Sequence, residues 1–218
     1  MAGPTRWAGV SREDRRTERR SLLVKAAFEL FGEGGESAVS VRSVCRESEL
    51  NSRYFYESFD DVDELLGSVY DEVAAELATT VSAATALTTS ADHGLLWLGI
   101  RAVLHFSSAD PRRGKILFTE ARGNATLAAR RATARDQLRE LVLAESTRID
   151  PESEPVAREV SAAMYAGAMA ELANQWLAGH LGDDLDAVVT HAVRLLLPEQ
   201  NTPARSRDSA PSKDEPRR

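Results

Sequence analysis

The chain has 218 residues and a formal net charge of −7, with 43% hydrophobic and 28% charged residues. These values are typical of a globular protein with one large domain, or with one small domain joined to a larger one. No apolar run reaches the length of a membrane helix, about 18 residues, and residues 1–10 lack the apolar segment of a signal peptide. The single cysteine, Cys45, excludes an internal disulfide. We therefore expect a cytoplasmic protein.

Helices are favoured over strands because Ala and Leu are abundant and aromatic residues make up only 6% of the chain. Residues 1–10 are predicted to be a flexible arm. Within residues 1–25 there are seven cationic and three acidic side chains, so the N-terminus is basic on an acidic body. Ser11 and Asp14 predict the start of a first helix, which Gly34 and Gly35 end just after Glu33.

Two short helices around a tight turn follow. Ser40 is a good N-cap for the second helix, which ends near Glu47, and Asn51 for the third, which ends near Ser58. This pattern is typical of a helix-turn-helix, in which the first helix crosses the phosphate backbone and the second enters the major groove. The third helix is crowded with large side chains that have polar tips and suit a DNA surface: Arg53, Tyr54 and Tyr56.

The pattern stays helical beyond this point, and no alternation of period two indicates a strand. A fourth helix begins at Asp60 or Asp61 and ends near Leu87. Residues 199–218 have no apolar anchor and are predicted to be a disordered tail. The prediction is an all-α fold of nine helices, the last five of which are Asp92–Ser108, Arg112–Arg122, Ala125–Arg148, Glu154–His180 and Leu185–Leu197.

Four sequence blocks between Thr17 and Val73 stand in the register of a known family. They are A-A-F-E-L-F-G-E-G-G, S-V-R-S-V-C-R-E-S-E-L-N, S-R-Y-F-Y-E-S-F and D-E-L-L. This segment resembles the N-terminal domain of TetR-type transcriptional repressors. The resemblance implies a nine-helix TetR-like architecture, with a helix-turn-helix DNA-binding domain in residues 11–60 and a helical effector-binding and dimerisation domain in residues 61–198.

The resemblance also implies contacts with double-stranded DNA. Arg53 is the best candidate for reading a guanine, through a bidentate contact worth roughly 1–3 kcal/mol. The implied contacts are Ser40 and Arg42 with phosphate or the groove edge, Ser52, Arg53 and Tyr54 with bases, and Tyr56 with phosphate.

Two residues depart from the family pattern. Glu49 stands where the family has a turn glycine, and a left-handed conformation there would cost about 1–2 kcal/mol. Val62 stands where family members often have a lysine that binds phosphate. Because that contact is lost, we expect a shallower salt dependence of DNA binding, with the basic segment Arg12–Arg20 as partial compensation.

A repressor of this kind would bind a palindromic operator as a homodimer, through Glu154–His180 and Leu185–Leu197, and a small-molecule effector would release it. No cofactor, metal or catalytic residue is expected. Arg101, His105 and Tyr165 are polar residues within apolar helices and could contact a ligand. The candidate pocket consists of Trp97, Ile100, Arg101, Leu104, His105, Phe118, Glu120, Arg122, Met164, Tyr165 and Trp176.

Two other functions stay open at this point. A helical protein of the same fold could serve interactions after losing DNA binding, as Glu49, Val62 and the acidic net charge would allow. A helical enzyme is the second alternative, but the chain has no G-x-S-x-G, P-loop, G-x-G-x-x-G or H-E-x-x-H motif. No histidine stands three residues after a glutamate, as a di-iron bundle requires.

Overall fold

The computed structural model describes residues 12–86, 93–121, 123–149 and 151–196. These residues form nine α-helices and no strand, which confirms the all-α prediction. The predicted arm 1–10, the Ser11 cap and the tail 199–218 lie outside the described residues. The helices are α1 Arg12–Gly34, α2 Val41–Glu47, α3 Ser52–Tyr56, α4 Val62–Thr85, α5 His93–Ala109, α6 Pro111–Gly114, α7 Ala125–Ile149, α8 Pro155–Leu177 and α9 Leu185–Leu196.

Side-chain caps fix where the three helices after α1 begin. The hydroxyl of Ser40 accepts a hydrogen bond from the backbone N–H of Ser43 at 3.1 Å, and Asn51 caps α3 in the same manner. Asp61, and not Asp60, caps α4, because its carboxylate accepts from the backbone N–H of Glu64 at 2.8 Å. Each cap satisfies a donor that the first turn of a helix leaves free.

A first core joins the N-terminal helices to the rest of the chain. Phe31, Phe55 and Phe59 are almost completely buried there, and the apolar face of α4 packs against them. The side chain of Cys45 packs at the edge of this core, and burial raises the pKa of its thiol. The helix-turn-helix is therefore held from behind by α1 and α4.

The predicted sixth helix, Arg112–Arg122, is wrong in its extent. The α-helix stops at Gly114, and Lys115–Thr119 continues as a π-helical turn. The guanidinium of Arg131 on α7 donates to the carbonyl oxygens of Leu117 at 2.8 Å, Ile116 at 2.9 Å and Glu120 at 2.6 Å. These carbonyls therefore have partners without a longer helix, so nothing requires the regular α pattern to continue.

A second core fills the space between α5, α8 and α9. Its buried members include Ile100, Leu104, Met169 and Val189. No helix within the described residues is long and apolar enough to cross a membrane.

The α6 region also contacts the end of α1 directly. Arg112 forms ion pairs with Asp110 at 2.8 Å and with Glu29 of α1, and its guanidinium lies 5.1 Å from the ring centre of Phe28. The Lys115 ammonium donates to the carbonyl oxygen of Gly32 at 3.2 Å. The hydrogen bond from Arg112 lowers the pKa of Asp110. The helix-turn-helix unit is thus joined to the larger half through side chains as well as through α4.

Candidate nucleic-acid interface

The turn between α2 and α3 contains the left-handed residue that the sequence suggested. Glu49 has a φ of 56°, one of two non-glycine residues with positive φ in the described part of the chain. The backbone N–H of Leu50 donates to the carbonyl oxygen of Cys45 at 3.0 Å, and that of Glu49 to Arg46 at 3.4 Å. These two bonds are the pair that ends a helix when the residue after its cap is left-handed. Glu49 therefore adopts the left-handed conformation that glycine usually supplies at this position, with a steric conflict at its Cβ.

The third helix divides into a buried and an exposed side. Phe55 lies in the core, while the side chain of Arg53 is 83% exposed and Tyr56 is 61% exposed. Ser52 is exposed as well, as is Arg42 on the neighbouring helix α2. Arg42 forms no ion pair with another described residue. The structure thus places four of the six predicted DNA contacts, Arg42, Ser52, Arg53 and Tyr56, on one open surface.

The other two predicted contacts are partly engaged within the protein. The exposed hydroxyl of Ser40 caps α2 and also lies 3.0 Å from the hydroxyl of Ser43. Tyr54 is half-buried, because the guanidinium of Arg19 lies 4.4 Å from the centre of its ring. Ser40 is thus exposed and Tyr54 partly so.

Part of the basic segment on α1 supports α3 and α4 from the side. Arg20 lies 4.6 Å from the ring centre of Phe59 and donates to the hydroxyl of Ser68 at 2.9 Å. The guanidinium of Arg19 stacks over the ring of Tyr54. Val62, at the start of α4, packs against the first core and has no charge to offer a phosphate. Of the residues expected to compensate for the missing lysine, Arg15 and Arg16 are exposed.

The predicted effector pocket is a packed core among the described residues. Ile100 and Leu104 are fully buried, and four aromatic members, Trp97, Phe118, Tyr165 and Trp176, are half-buried around them. Arg101 pairs with Asp186 of α9 at 2.8 Å, and the indole N–H of Trp97 donates to the hydroxyl of Thr190 at 3.4 Å. Arg101 and Trp97 therefore hold α5 against α9.

Two of the predicted pocket residues point away from this core, which is a correction. His105 is exposed on α5, and Met164 is 65% exposed on α8. Each lies on the outer side of its helix, so a polar side chain within an apolar helix did not mark the inner face. Glu120 is half-buried, and Arg122 lies outside the described residues.

A cleft of ≈ 250 Å³ lies elsewhere, between α1, α4 and α6. It combines apolar walls with several charged groups, and burial raises the pKa of Glu72 on its edge. Only a contact between distant helices forms this cleft, so no spacing in the sequence could have indicated it. Its lining residues are Val24, Lys25, Phe28, Val69, Glu72, Val73, Glu76, Asp110, Arg112 and Arg113.

The surface formed by α2 and α3 lies inside a segment that matches a described family. Residues 23–69 match the family described as bacterial regulatory proteins, tetR family. Over these residues the chain is similar to TetR-family regulators. The HTH-type transcriptional repressor Rv3405c of Mycobacterium tuberculosis is similar to this chain, with 32% identity over 62 residues. That match covers 28% of the chain and 33% of the relative, so the two are alike over about a third of the relative's length.

Solved structures of two regulators resemble the fold of this chain over most of its length. The fatty acid degradation regulator FadR of Bacillus halodurans has a TM-score of 0.69 at 16% identity, covering 84% of this chain and 96% of that one. FadR of Bacillus subtilis, in complex with stearoyl-CoA, has a TM-score of 0.67 at 17% identity, covering 82% and 97%. At these identities the likeness shows the fold alone.

Proposed function

We propose that this chain is a transcriptional regulator without enzymatic activity that binds double-stranded DNA through α2 and α3. The observation that carries the proposal is the division of α3 into a buried face and an exposed face with Ser52, Arg53 and Tyr56. A helix held from behind by its domain and open in front is what major-groove recognition requires. Because DNA is the partner, the protein would act in the cytoplasm.

We propose that the regulator acts as a homodimer through α8 and α9. The outer side of α8 carries apolar side chains that a monomer leaves in water: Val156 is 64% exposed, Val160 51% and Met164 65%. Leu195 on α9 is 83% exposed. A Cβ added to Gly167 would meet nothing within 4 Å, so a second helix can approach there closely. Two helix-turn-helix units related by a twofold axis would select a roughly palindromic operator.

A small-molecule effector that releases the operator completes the proposal. Two buried polar atoms on α8 have no partner among the described residues, the amide oxygen of Asn174 and the indole N–H of Trp176. An unsatisfied buried polar group costs about 1–3 kcal/mol, so a bound molecule that pairs with either atom gains that interaction. Long-chain acyl-CoA esters are the first ligands to test, since the FadR of Bacillus subtilis was solved with stearoyl-CoA.

Release would follow from a change in the position of α6 and α4. Arg112 and Lys115 tie the α6 region to Glu29 and Gly32 near the end of α1. A ligand that favours a different arrangement of α6 would shift the helix-turn-helix in each subunit. The distance between the α3 helices of the two subunits would then change.

The DNA-binding proposal is tested by selecting bound fragments from a genomic library and measuring operator affinity by fluorescence anisotropy. We expect a palindromic consensus, and a loss of binding when Arg53 and Tyr54 are both replaced by alanine. No binding to any fragment at low salt would favour the alternative of a helical interaction protein.

The dimer and the effector are tested separately. Light scattering coupled to size exclusion should give twice the monomer mass, and Met164→Glu should give the monomer while retaining the helical circular dichroism spectrum. Palmitoyl-CoA and stearoyl-CoA are titrated into the operator complex, with free CoA as the control. Operator binding that stays constant at saturating acyl-CoA would reject this class of effector.

A further inference from the structure

One acidic side chain lies beside the exposed residues of α3 that we propose face the DNA. The carboxylate of Glu57, just after α3, accepts a hydrogen bond from the Nε–H of Arg53 at 3.0 Å. The Arg53 side chain is 83% exposed, and that of Glu57 37%. The pair therefore stands on the surface that would face the major groove, and not in the core.

Glu57 is itself held from α1. A terminal N–H of Arg16 donates to its carbonyl oxygen at 2.8 Å, which fixes the backbone. A terminal nitrogen of Arg19 lies 3.7 Å from the second carboxylate oxygen, and the same guanidinium covers the ring of Tyr54. Arg53 is thus bound to an acid that α1 keeps in place.

The stability of the fold does not explain this arrangement. An exposed ion pair four residues apart on a helix contributes little to folding, because water and salt screen it. Toward DNA the effect of Glu57 alone is unfavourable, since its negative charge repels phosphates of every sequence. A group that weakens binding to all DNA can still improve the choice among sequences, because specificity depends on a difference between affinities.

The chemistry of the guanidinium supplies such a role. Arg recognises guanine with two parallel N–H groups that meet O6 and N7. When Nε is bound to Glu57, the edge formed by the two terminal nitrogens stays free for this contact. The rotation of a long side chain is restricted at the same time, so less freedom is lost when the base is bound.

We infer that Glu57 is a positioning residue that sets base specificity by holding Arg53 for a guanine. The inference rests on the proposed function, since it concerns the same interface. Glu57→Ala removes the acceptor, and alanine is compatible with the backbone of residue 57, whose φ is −74°. Glu47→Ala is the matched control, because it removes one exposed negative charge at the end of α2 without touching Arg53.

The experiment uses the full chain and the operator selected by the unchanged protein. Each position of one half-site is changed to all four bases, and dissociation constants are measured by anisotropy for the unchanged protein, Glu57→Ala, Glu47→Ala, Arg53→Ala and the double variant Arg53→Ala/Glu57→Ala. Thermal unfolding of each variant checks that it is folded.

We expect the unchanged protein to prefer guanine at one position by about tenfold or more, the discrimination of one bidentate contact. Glu57→Ala should bind all sequences more tightly and lose most of that preference. Glu47→Ala should keep it. In the Arg53→Ala background, the further change Glu57→Ala should leave the base preference unaltered.

Two results would overturn the inference while leaving DNA binding intact. One is a guanine preference that survives Glu57→Ala but not Arg53→Ala, which would make Arg53 independent of Glu57. The other is a preference that survives Arg53→Ala. Failure of the unchanged protein to select any DNA would instead reject the proposed function itself.

Discussion

The side-chain amide of Asn124 donates to the carboxylate of Asp63 at 2.9 Å and to that of Glu36 at 2.8 Å. Its oxygen accepts from the backbone N–H of Leu127 at 3.0 Å, so the same residue caps α7. Asn124 is only 8% exposed. One buried amide therefore joins the segment after α1, the start of α4 and the start of α7.

Replacing Asn124 should destabilise the protein through these three bonds. Asn124→Ala removes the cap and both donors, and we expect a loss of about 1–3 kcal/mol in the free energy of unfolding. Asn124→Asp keeps a capping oxygen but places a third carboxylate beside Glu36 and Asp63. Denaturant unfolding should show a larger loss for Asn124→Asp at pH 7, with the gap narrowing as acid neutralises the carboxylates. Equal losses at all pH values would contradict the repulsion.

The contact between α1 and α6 predicts a sharp difference between two glycines. A Cβ at Gly32 would lie 2.4 Å from the Cβ of Arg112, whereas a Cβ at Gly99 on α5 would meet nothing within 4 Å. Gly32→Ala should therefore lower the free energy of unfolding by about 1–3 kcal/mol through overpacking. Gly99→Ala should raise the free energy of unfolding by about 0.5–1 kcal/mol, because alanine loses less conformational freedom than glycine when the helix forms. Thermal melts of both variants test the packing of α6 on α1.

The left-handed residue in the helix-turn-helix predicts a stabilising substitution. Glu49→Gly removes the steric conflict at a φ of 56° and should stabilise the protein by about 1 kcal/mol, despite the greater freedom of glycine when unfolded. Glu47→Gly, at the last residue of α2, where φ is not left-handed, is the control and should not stabilise the protein. The measurement is the midpoint of denaturant unfolding, and a lower midpoint for Glu49→Gly would contradict a strained turn.

The stability at alkaline pH should depend on one tyrosine of α8. Burial raises the pKa of Tyr165 to about 12. Its phenol thus ionises at lower pH in the unfolded chain, so the unfolded state binds fewer protons between the unfolded and folded pKa values. The contribution of Tyr165 to stability is then constant below about pH 10 and falls as the pH rises from there toward 12. Tyr165→Phe has no phenol to ionise, so its free energy of unfolding should fall less over this range than that of the unchanged protein. Denaturant unfolding of both proteins between about pH 10 and 12 measures the difference.

The helix-turn-helix could be predicted from the sequence because its signals are local. Ser40, Asn51 and Asp61 each cap a helix with a bond to a residue three positions on, and the spacing of Phe55 and Phe59 gives the inner face. The predicted end of the third helix is wrong, because α3 ends at Tyr56 and not near Ser58. Helix ends depend on small differences in the last turn, which spacing does not determine.

The larger half was harder to predict because its determining contacts are distant in the sequence. From the next helix, Arg131 donates to two carbonyls of the π-helical turn and to that of Glu120 just after it, and no pattern within residues 112–122 indicates this. The exposure of His105 was within reach of the sequence. It follows directly after Leu104, which is fully buried, so the two side chains lie on different faces of α5.

The exposed apolar side of α8 has a consequence for the amount of protein in the cell. If Val156, Val160 and Met164 are covered only in the dimer, the dimer is the species that binds DNA. At protein concentrations below the dimer dissociation constant, the dimer concentration grows with the square of the number of chains. Operator occupancy would then respond to a twofold change in copy number with an almost fourfold change in dimer. A gene under its own control would settle at a level set by subunit association as well as by DNA affinity.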